Sequence, residues 1–204
     1  MAVLPDGKHI GILYRKTISE NVRLLHLANH HSLRNDEVKS KYFFVIPDVG
    51  RRGKQVAALC RLIIEQNPTL PYGFSHPTGA FNEEGKFIAG PNMVGLTCAS
   101  FVLAVFDKVG LSLLQYDTWQ TRDDDEAWRA EIIEIIRHSS TSNDIEDHIK
   151  QITPEVPTVR YRPLEVAGSA AADFPVPFCK SLILADQLAK ILIDHKSNPS
   201  TLPT

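Results

Sequence analysis

A cysteine stands at the head of a predicted helix, in the stretch GLTCASFVLAVFDKVG that spans residues 95–110. A thiol attacks an acyl carbon as its thiolate, and the unpaired N–H groups at a helix N-terminus lower the thiol pKa. The backbone N–H of such a residue can also stabilise the oxyanion of an acyl intermediate. Cys98 is therefore a candidate nucleophile, with burial as a small hydrophobic residue as the structural alternative.

Two histidines fall inside predicted strands. His9 opens HIGILYR, and His26 interrupts the apolar run VRLLHLAN. A polar side chain in an otherwise apolar strand must be hydrogen-bonded or functional, because an unpaired buried polar group is costly. A nucleophilic cysteine needs an imidazole base, and that base needs an orienting partner. Neighbouring antiparallel strands would bring the two rings side by side, within reach of Cys98.

The loop of residues 67–95 is rich in Pro, Gly and Asn and leads directly into the cysteine helix. Loops of this length in compact domains are commonly binding segments or lids. Tyr72 and Phe74 are candidates to line a substrate groove, with anchoring of the loop to the core as the alternative. His76 is a third candidate for substrate binding, with exposure to solvent as its alternative.

A cluster of histidines offers a different chemistry, because imidazole and carboxylate groups bind zinc. Its members are His26, His30, His31 and Asp36. The four-residue spacing of His26 and His30 suits a helix, whereas the surrounding residues predict a strand. We therefore expect no metal, and acyl transfer at a cysteine requires no other cofactor.

The elements that must position these residues begin with strands. Three short apolar runs predict strands over residues 9–15, 22–29 and 41–47. Together they predict an antiparallel meander. Because the strands precede a series of helices, the order of elements predicts an α+β fold.

Helices follow the predicted strands. Apolar residues recurring at three and four positions predict a helix over residues 53–68. The cysteine helix comes next, with Thr97 as its N-cap and Gly110 as its C-terminal glycine. A strand and a proline-initiated helix are predicted within VRYRPLEVAGSAAADF, and further helices over residues 123–138, 142–152 and 179–196. We expect a core over residues 1–115 and a helical extension over 116–204, packed on the same domain.

Composition excludes several classes of protein. The 204 residues carry a formal net charge of −2, which gives no basic footprint for nucleic acid. No run of 18 apolar residues is present, so we expect no transmembrane segment. Three cysteines are too few for a disulfide framework, and Cys60 and Cys179 are expected to pack in the interior. A reducing compartment, by default the cytoplasm, is expected, and export by a signal-independent route is compatible with the sequence.

The segments HIGILYR, LLHLANH and TCASFV, in that order, resemble the permuted branch of the NlpC-type papain-like superfamily. That branch contains lecithin retinol acyltransferase-like enzymes and bacterial cysteine peptidase-like members, and the resemblance covers residues 8–110. It implies a papain-like fold in which an antiparallel sheet packs on the helix that carries the nucleophile. It also implies that Cys98 is the nucleophile, His9 the base and His26 the residue that orients the base.

The resemblance implies acyl transfer through a covalent thioester on Cys98. This chain has TCAS where the acyltransferases have NCEH, and it lacks their C-terminal membrane helix. The first expected substrate is therefore an amide bond in a peptide, an isopeptide or a cell-wall peptide. A lipid ester or thioester is the second, and a non-catalytic interaction module with a papain-like shape is the third interpretation.

Overall fold

A computed structural model of the chain describes residues 1–17, 19–39, 42–67, 69–139, 144–153 and 159–197. The strands in these ranges are β1 (Ala2–Val3), β2 (Ile10–Tyr14), β3 (Arg23–Asn29), β4 (Ser32–Glu37) and β5 (Phe43–Phe44). The α-helices are α1 (Gly53–Gln66), α2 (Cys98–Lys108), α3 (Asp125–Ser139), α4 (Ile145–Ile152), α5 (Pro163–Ala170) and α6 (Phe178–Ser197). This content confirms the α+β prediction.

The strands form one antiparallel sheet in the order β4-β3-β2-β1-β5. The first two predicted strands are neighbours, as expected, but the meander prediction is wrong for the third. β1 lies between β2 and β5, with Ala2 paired to Gly11 on one side and to Phe44 on the other. Of the third predicted strand only Phe43–Phe44 belongs to the sheet, and Lys41 lies outside the described residues.

Helix α2 is the central element of the core. Every residue from Cys98 to Phe106 is buried, and the helix packs on both β2 and β3. Its start is determined by a reciprocal cap: the Ser100 N–H donates to Thr97 Oγ1 at 3.0 Å, and the Thr97 N–H donates to Ser100 Oγ at 2.8 Å. Gly110, with φ at +71°, follows the helix end. The predicted cap and terminating glycine of this helix are confirmed, and the cap places Cys98 in its first turn.

The later helices pack onto this core. α5 contacts α2, β1 and β2 and makes an extensive interface with α6. The strand predicted before the proline-initiated helix is absent from described residues 159–162, which are irregular. Pro68 and residues 142–143, at the ends of two predicted helices, lie outside the described ranges. No helix in those ranges has both the length and the apolar character needed to cross a bilayer.

Candidate functional site

Cys98 lies at the wall of a cavity of about 620 Å³ formed where the head of α2 meets α3, α5 and α6. The residue is 5% exposed, and the cavity gives a reactant access to it. The surrounding walls combine aromatic, apolar and charged side chains, among them Lys8, Tyr72, Trp128, Glu131, Tyr161 and Leu182. The helices of the predicted extension therefore supply a large part of the cavity around the thiol.

The Cys98 sulfur is surrounded by hydrogen-bond donors. The backbone N–H of Ile10 and the hydroxyl of Tyr72 interact with it, together with the N–H groups of Cys98 and Ala99 in the first turn of α2. Burial nevertheless dominates and raises the pKa of the Cys98 thiol, while these donors lower it only partly. The predicted depression of the thiol pKa is therefore wrong: in the resting protein the buried sulfur favours the thiol form.

His9, His26 and Asp36 form a hydrogen-bonded chain. Nε2 of His9 lies 2.7 Å from Nδ1 of His26, and Nε2 of His26 lies 3.2 Å from Oδ2 of Asp36. The two imidazole rings are 4.8 Å apart between centroids and meet edge to face. The N–H of Ile10 contacts the Cys98 sulfur, and Ile10 follows His9 directly. His9 and Cys98 therefore lie at the same end of β2.

The proton positions in the His9–His26–Asp36 series follow from Asp36, the hydrogen-bond acceptor at its end. An ionised Asp36 can only accept, so Nε2 of His26 carries the hydrogen that it donates. A neutral His26 then presents a lone pair at Nδ1, which accepts from the N–H at Nε2 of His9. A neutral His9 is thereby left with its lone pair on Nδ1, and this tautomer can act as a base.

The electrostatics of His26 and Asp36 support these protonation states. Burial lowers the pKa of His26, and the hydrogen bond and charge of Asp36 oppose this only in part. Burial disfavours the ionised form of Asp36, but its hydrogen bonds and charge interactions with His26 and Arg34 outweigh that effect and hold its pKa below the ordinary value. Near neutral pH the pair is therefore a neutral imidazole and a carboxylate.

Gly11 makes the position of His26 possible. A Cβ atom at Gly11 would lie 2.7 Å from Cβ of His26, 2.8 Å from Cδ1 of Leu24 and 2.9 Å from the carbonyl oxygen of Leu25. These distances are shorter than ordinary carbon contacts, and two of the three neighbours are close to the main chain of β3. The glycine of HIGILYR thus lets β2 and β3 approach with the imidazole between them.

Substitution Gly11→Ala is expected to lower the free energy of unfolding by about 1–3 kcal/mol, the usual cost of overpacking an interior. Denaturant unfolding of the purified protein measures it. Gly90→Ala is the matched control, because a Cβ there meets nothing within 4 Å and it should change stability by less than about 0.5 kcal/mol. Equal stability of the two variants would contradict the packing argument.

Tyr72 is held against Cys98 by its main chain. The residue forms an isolated parallel bridge with Leu96, two positions before Cys98. Nε2 of His148 lies 2.7 Å from the Tyr72 carbonyl oxygen, and the Tyr72 N–H donates to Nδ1 of His30 at 3.3 Å. Gly95, with φ at +154°, permits the close approach, since a Cβ there would lie 2.7 Å from the Tyr72 carbonyl carbon.

The other two candidate groove residues lie apart from the thiol. Phe74 packs edge to face on Trp128, with ring centroids 5.5 Å apart, and is not among the residues that line the Cys98 cavity. His76 is likewise outside that lining and packs on the rings of Tyr116 and Tyr161. The structure therefore places Tyr72 and the main chain of Ile10 at the Cys98 sulfur and pairs His9 with His26. It leaves Phe74 and His76 on the neighbouring aromatic surface.

The histidines of the alternative metal cluster separate into two groups. His26 joins His9 and Asp36, whereas the ring of His30 packs between those of His31 and His148, with centroid distances of 3.8 and 4.2 Å. Among the described residues, no group of three or more His, Cys, Asp or Glu side chains is arranged to hold a metal ion. Burial lowers the pKa of His30 to about 4, with smaller contributions from His148 and His31.

The two other cysteines have different environments. Cys60 is fully buried on α1, as predicted, and burial raises the pKa of its thiol far above the ordinary value. Cys179 near the start of α6 is exposed, so the prediction that it packs in the interior is wrong. The residues before it, FPVPF, are apolar, but Lys180 follows it and its side chain lies on the outer face of the helix.

The sequence analysis did not predict that Asp36 is the partner of His26. It also did not predict the packing role of Gly11 or the cavity residues from the second half of the polypeptide. β4 carries Asp36 in the stretch SLRNDE, which is too polar for the apolar patterns that predict strands. Pairing of Leu24 with Asp36 and of His26 with Arg34 places the carboxylate beside the imidazole. Leu33 is the only apolar residue of this strand, so no local pattern signals it.

Comparison of the chain with models of protein families, with curated proteins and with solved structures gave no match. The family expectation thus depends on the segments HIGILYR, LLHLANH and TCASFV alone.

Proposed function

We propose that the chain is a cysteine hydrolase or acyltransferase that cleaves an amide bond through a thioester on Cys98. The observation that carries the proposal is the hydrogen-bonded series Asp36–His26–His9, in which His9 directly precedes Ile10, the residue whose N–H contacts the Cys98 sulfur. A nucleophile, a base and an oriented partner of the base are the minimum set for nucleophilic acyl transfer.

In the first step, Nδ1 of His9 takes the proton of the Cys98 thiol and the sulfur attacks the substrate carbonyl carbon. The new C–S bond moves the carbonyl π electrons onto oxygen. We infer that the Cys98 N–H and the Tyr72 hydroxyl, which both lie at the sulfur, donate hydrogen bonds to this oxyanion. Collapse of this intermediate restores the carbonyl and breaks the C–N bond. His9 gives its proton to the departing amine nitrogen, which leaves a thioester on the enzyme.

In the second step, a water molecule or another acceptor loses a proton to His9 and attacks the thioester carbonyl. The C–S bond breaks, and the Cys98 thiolate recovers the proton from His9. The raised pKa of the Cys98 thiol supports a neutral thiol in the resting protein, so the proton moves during the attack. His26 and Asp36 stabilise the positive charge that His9 carries within each step, while it holds the transferred proton.

The cavity walls favour a polar substrate such as a peptide. Charged side chains of both signs line it, including Lys8, Glu131 and Arg160. Arg160 is fixed over the ring of Trp128, with 4.1 Å between the guanidinium carbon and the ring centroid. Such a wall can bind backbone amides and charged side chains by hydrogen bonds and can hold one apolar group, which matches a peptide better than a long lipid chain.

Trapping the acyl-enzyme tests the proposal. The purified protein is incubated with matched series of acyl amides, oxygen esters and thioesters of short peptides, quenched in acid and measured by intact-protein mass spectrometry. We expect a mass increase equal to the acyl group on Cys98, mapped by peptide digestion, and release of the amine from peptide amides.

Two variants make the outcome specific. Cys179→Ser removes the exposed thiol and should leave the adduct unchanged, whereas Cys98→Ala should remove it. Adduct formation on Cys179 alone, or no adduct with any of the three series, would overturn the proposal and favour a non-catalytic module. Lipid esters are incubated and measured in the same way, and an adduct from them but not from the peptide series would reassign the substrate class.

A further inference from the structure

A second cavity, of about 910 Å³, lies at the opposite end of β2 and α2 from Cys98. It is bounded by the end of β2, the segment 45–49 and α1, and it shares no lining residue with the Cys98 cavity. Phe106 borders it eight residues along α2 from Cys98, which corresponds to about 12 Å of helix. Its volume falls in the range of small-molecule sites in proteins.

The floor of this second cavity is apolar. It is formed by side chains of β2, the segment after β5, α1 and α2 that are each no more than 8% exposed, namely Ile12, Tyr14, Val45, Val56 and Phe106. At the mouth, Ile46 is 89% exposed and Val22 is 42% exposed. An apolar ligand seated on the floor would cover part of both side chains and remove their apolar surface from water.

The rim of the cavity is cationic. Arg15, Lys16, Lys54 and Arg61 line it, and its lining includes no Asp or Glu. Within the described parts of the chain, none of these four side chains forms an ion pair with a carboxylate. In a chain whose formal net charge is −2, four basic side chains around one apolar cavity are a local excess of positive charge.

We propose that this cavity binds a long-chain carboxylate, with the hydrocarbon chain on the apolar floor and the carboxylate at the cationic rim. The two ends of such a ligand match the two parts of the site, because the apolar surface is sequestered while the anion meets guanidinium and ammonium donors. The floor reaches Phe106 of the core helix α2. This depth suits a ligand that enters the cavity better than it suits a partner helix that lies across the mouth.

Fluorescence titration with cis-parinarate, a fluorescent fatty-acid anion, tests the proposal on the full chain below the micellar concentration of the probe. We expect saturable binding of one probe per chain, displacement by oleate and little displacement by oleyl alcohol, which has the same chain without the charge. Because hydrogen bonds to charged groups are strong, K54E/R61E should weaken binding by about tenfold to a hundredfold. The control K180E/K190E makes the same change of net charge on α6 and should leave the affinity unchanged.

A second variant tests the cavity itself. Ala57→Trp projects a large ring from α1 into the cavity and should abolish probe binding, with circular dichroism and thermal unfolding confirming the fold. Unchanged affinity in a folded Ala57→Trp protein, or equal displacement by oleate and oleyl alcohol, would overturn the proposal. If oleate displaces none of the bound probe but an acidic amphipathic peptide binds, the cavity is a docking site for a protein partner and the proposal is overturned. The variant Cys98→Ala should bind the probe normally, which separates this site from the proposed acyl transfer.

Discussion

Cys98→Ser is expected to reduce amide or thioester cleavage by a factor on the order of 10⁴ or more, the scale of loss seen when a covalent nucleophile is removed. Serine has nearly the same size and can occupy the first turn of α2, so the loss would be chemical. An alkoxide at this buried position is far harder to form than a thiolate, and His9 has no comparable driving force to remove the proton.

The Cys98→Ser experiment compares turnover with thermal stability. Steady-state turnover of the best substrate from the acyl-enzyme series gives the activity, and thermal unfolding shows whether the fold survives. Cys179→Ser is the control, since its thiol is exposed on α6 and outside the cavity. A Cys98→Ser protein that retained a tenth of the turnover would show that the sulfur does not form the intermediate.

His9→Asn is expected to lower turnover by a factor of about 10²–10⁴, the usual contribution of a positioned general base. Asparagine can keep a hydrogen bond to Nδ1 of His26, but it has no basic nitrogen for the thiol proton. The variant therefore depends on the thiolate that Cys98 forms unaided. Because burial raises the thiol pKa, that thiolate fraction falls as the pH falls below the raised value.

The pH dependence of Cys98 alkylation separates this role of His9 from a structural one. In the wild type, the neutral base assists deprotonation near neutral pH, whereas in His9→Asn the alkylation rate should rise only at more alkaline pH. His138→Asn is the matched control, since that imidazole is exposed on α3 and does not line the cavity. Identical pH profiles for wild type and His9→Asn would remove His9 from the mechanism.

Local sequence signals predicted the elements that carry the chemistry. The run after Thr97 is apolar on all sides and is capped within four residues, so its helical state depends little on distant contacts. β2 and β3 are likewise apolar segments, and their pairing follows from a short connection. Cys98, His9 and His26 could be named because each is a reactive side chain in a segment of otherwise apolar residues.

Strand pairing between distant segments determined the features of the sheet and of the site that local sequence patterns did not predict. β1 has only two residues in the sheet and β4 is polar, so neither stands out from the loops that flank it. Asp36 becomes the partner of His26 only through the β3–β4 register. Gly11 matters only because His26, Leu24 and Leu25 of the neighbouring strand lie against it.

The sequence by itself determined the type and order of the main elements and the identity of the reactive side chains, because helix caps and apolar periodicity act over a few neighbouring residues. The tertiary structure alone decided the protonation preference of Cys98 and the walls of both cavities. Desolvation depends on everything that surrounds a group, and for Cys98 those surroundings come from β2, the Tyr72 loop and the helices of the second half. The helix N-terminus favours the thiolate, but burial by these distant segments outweighs it.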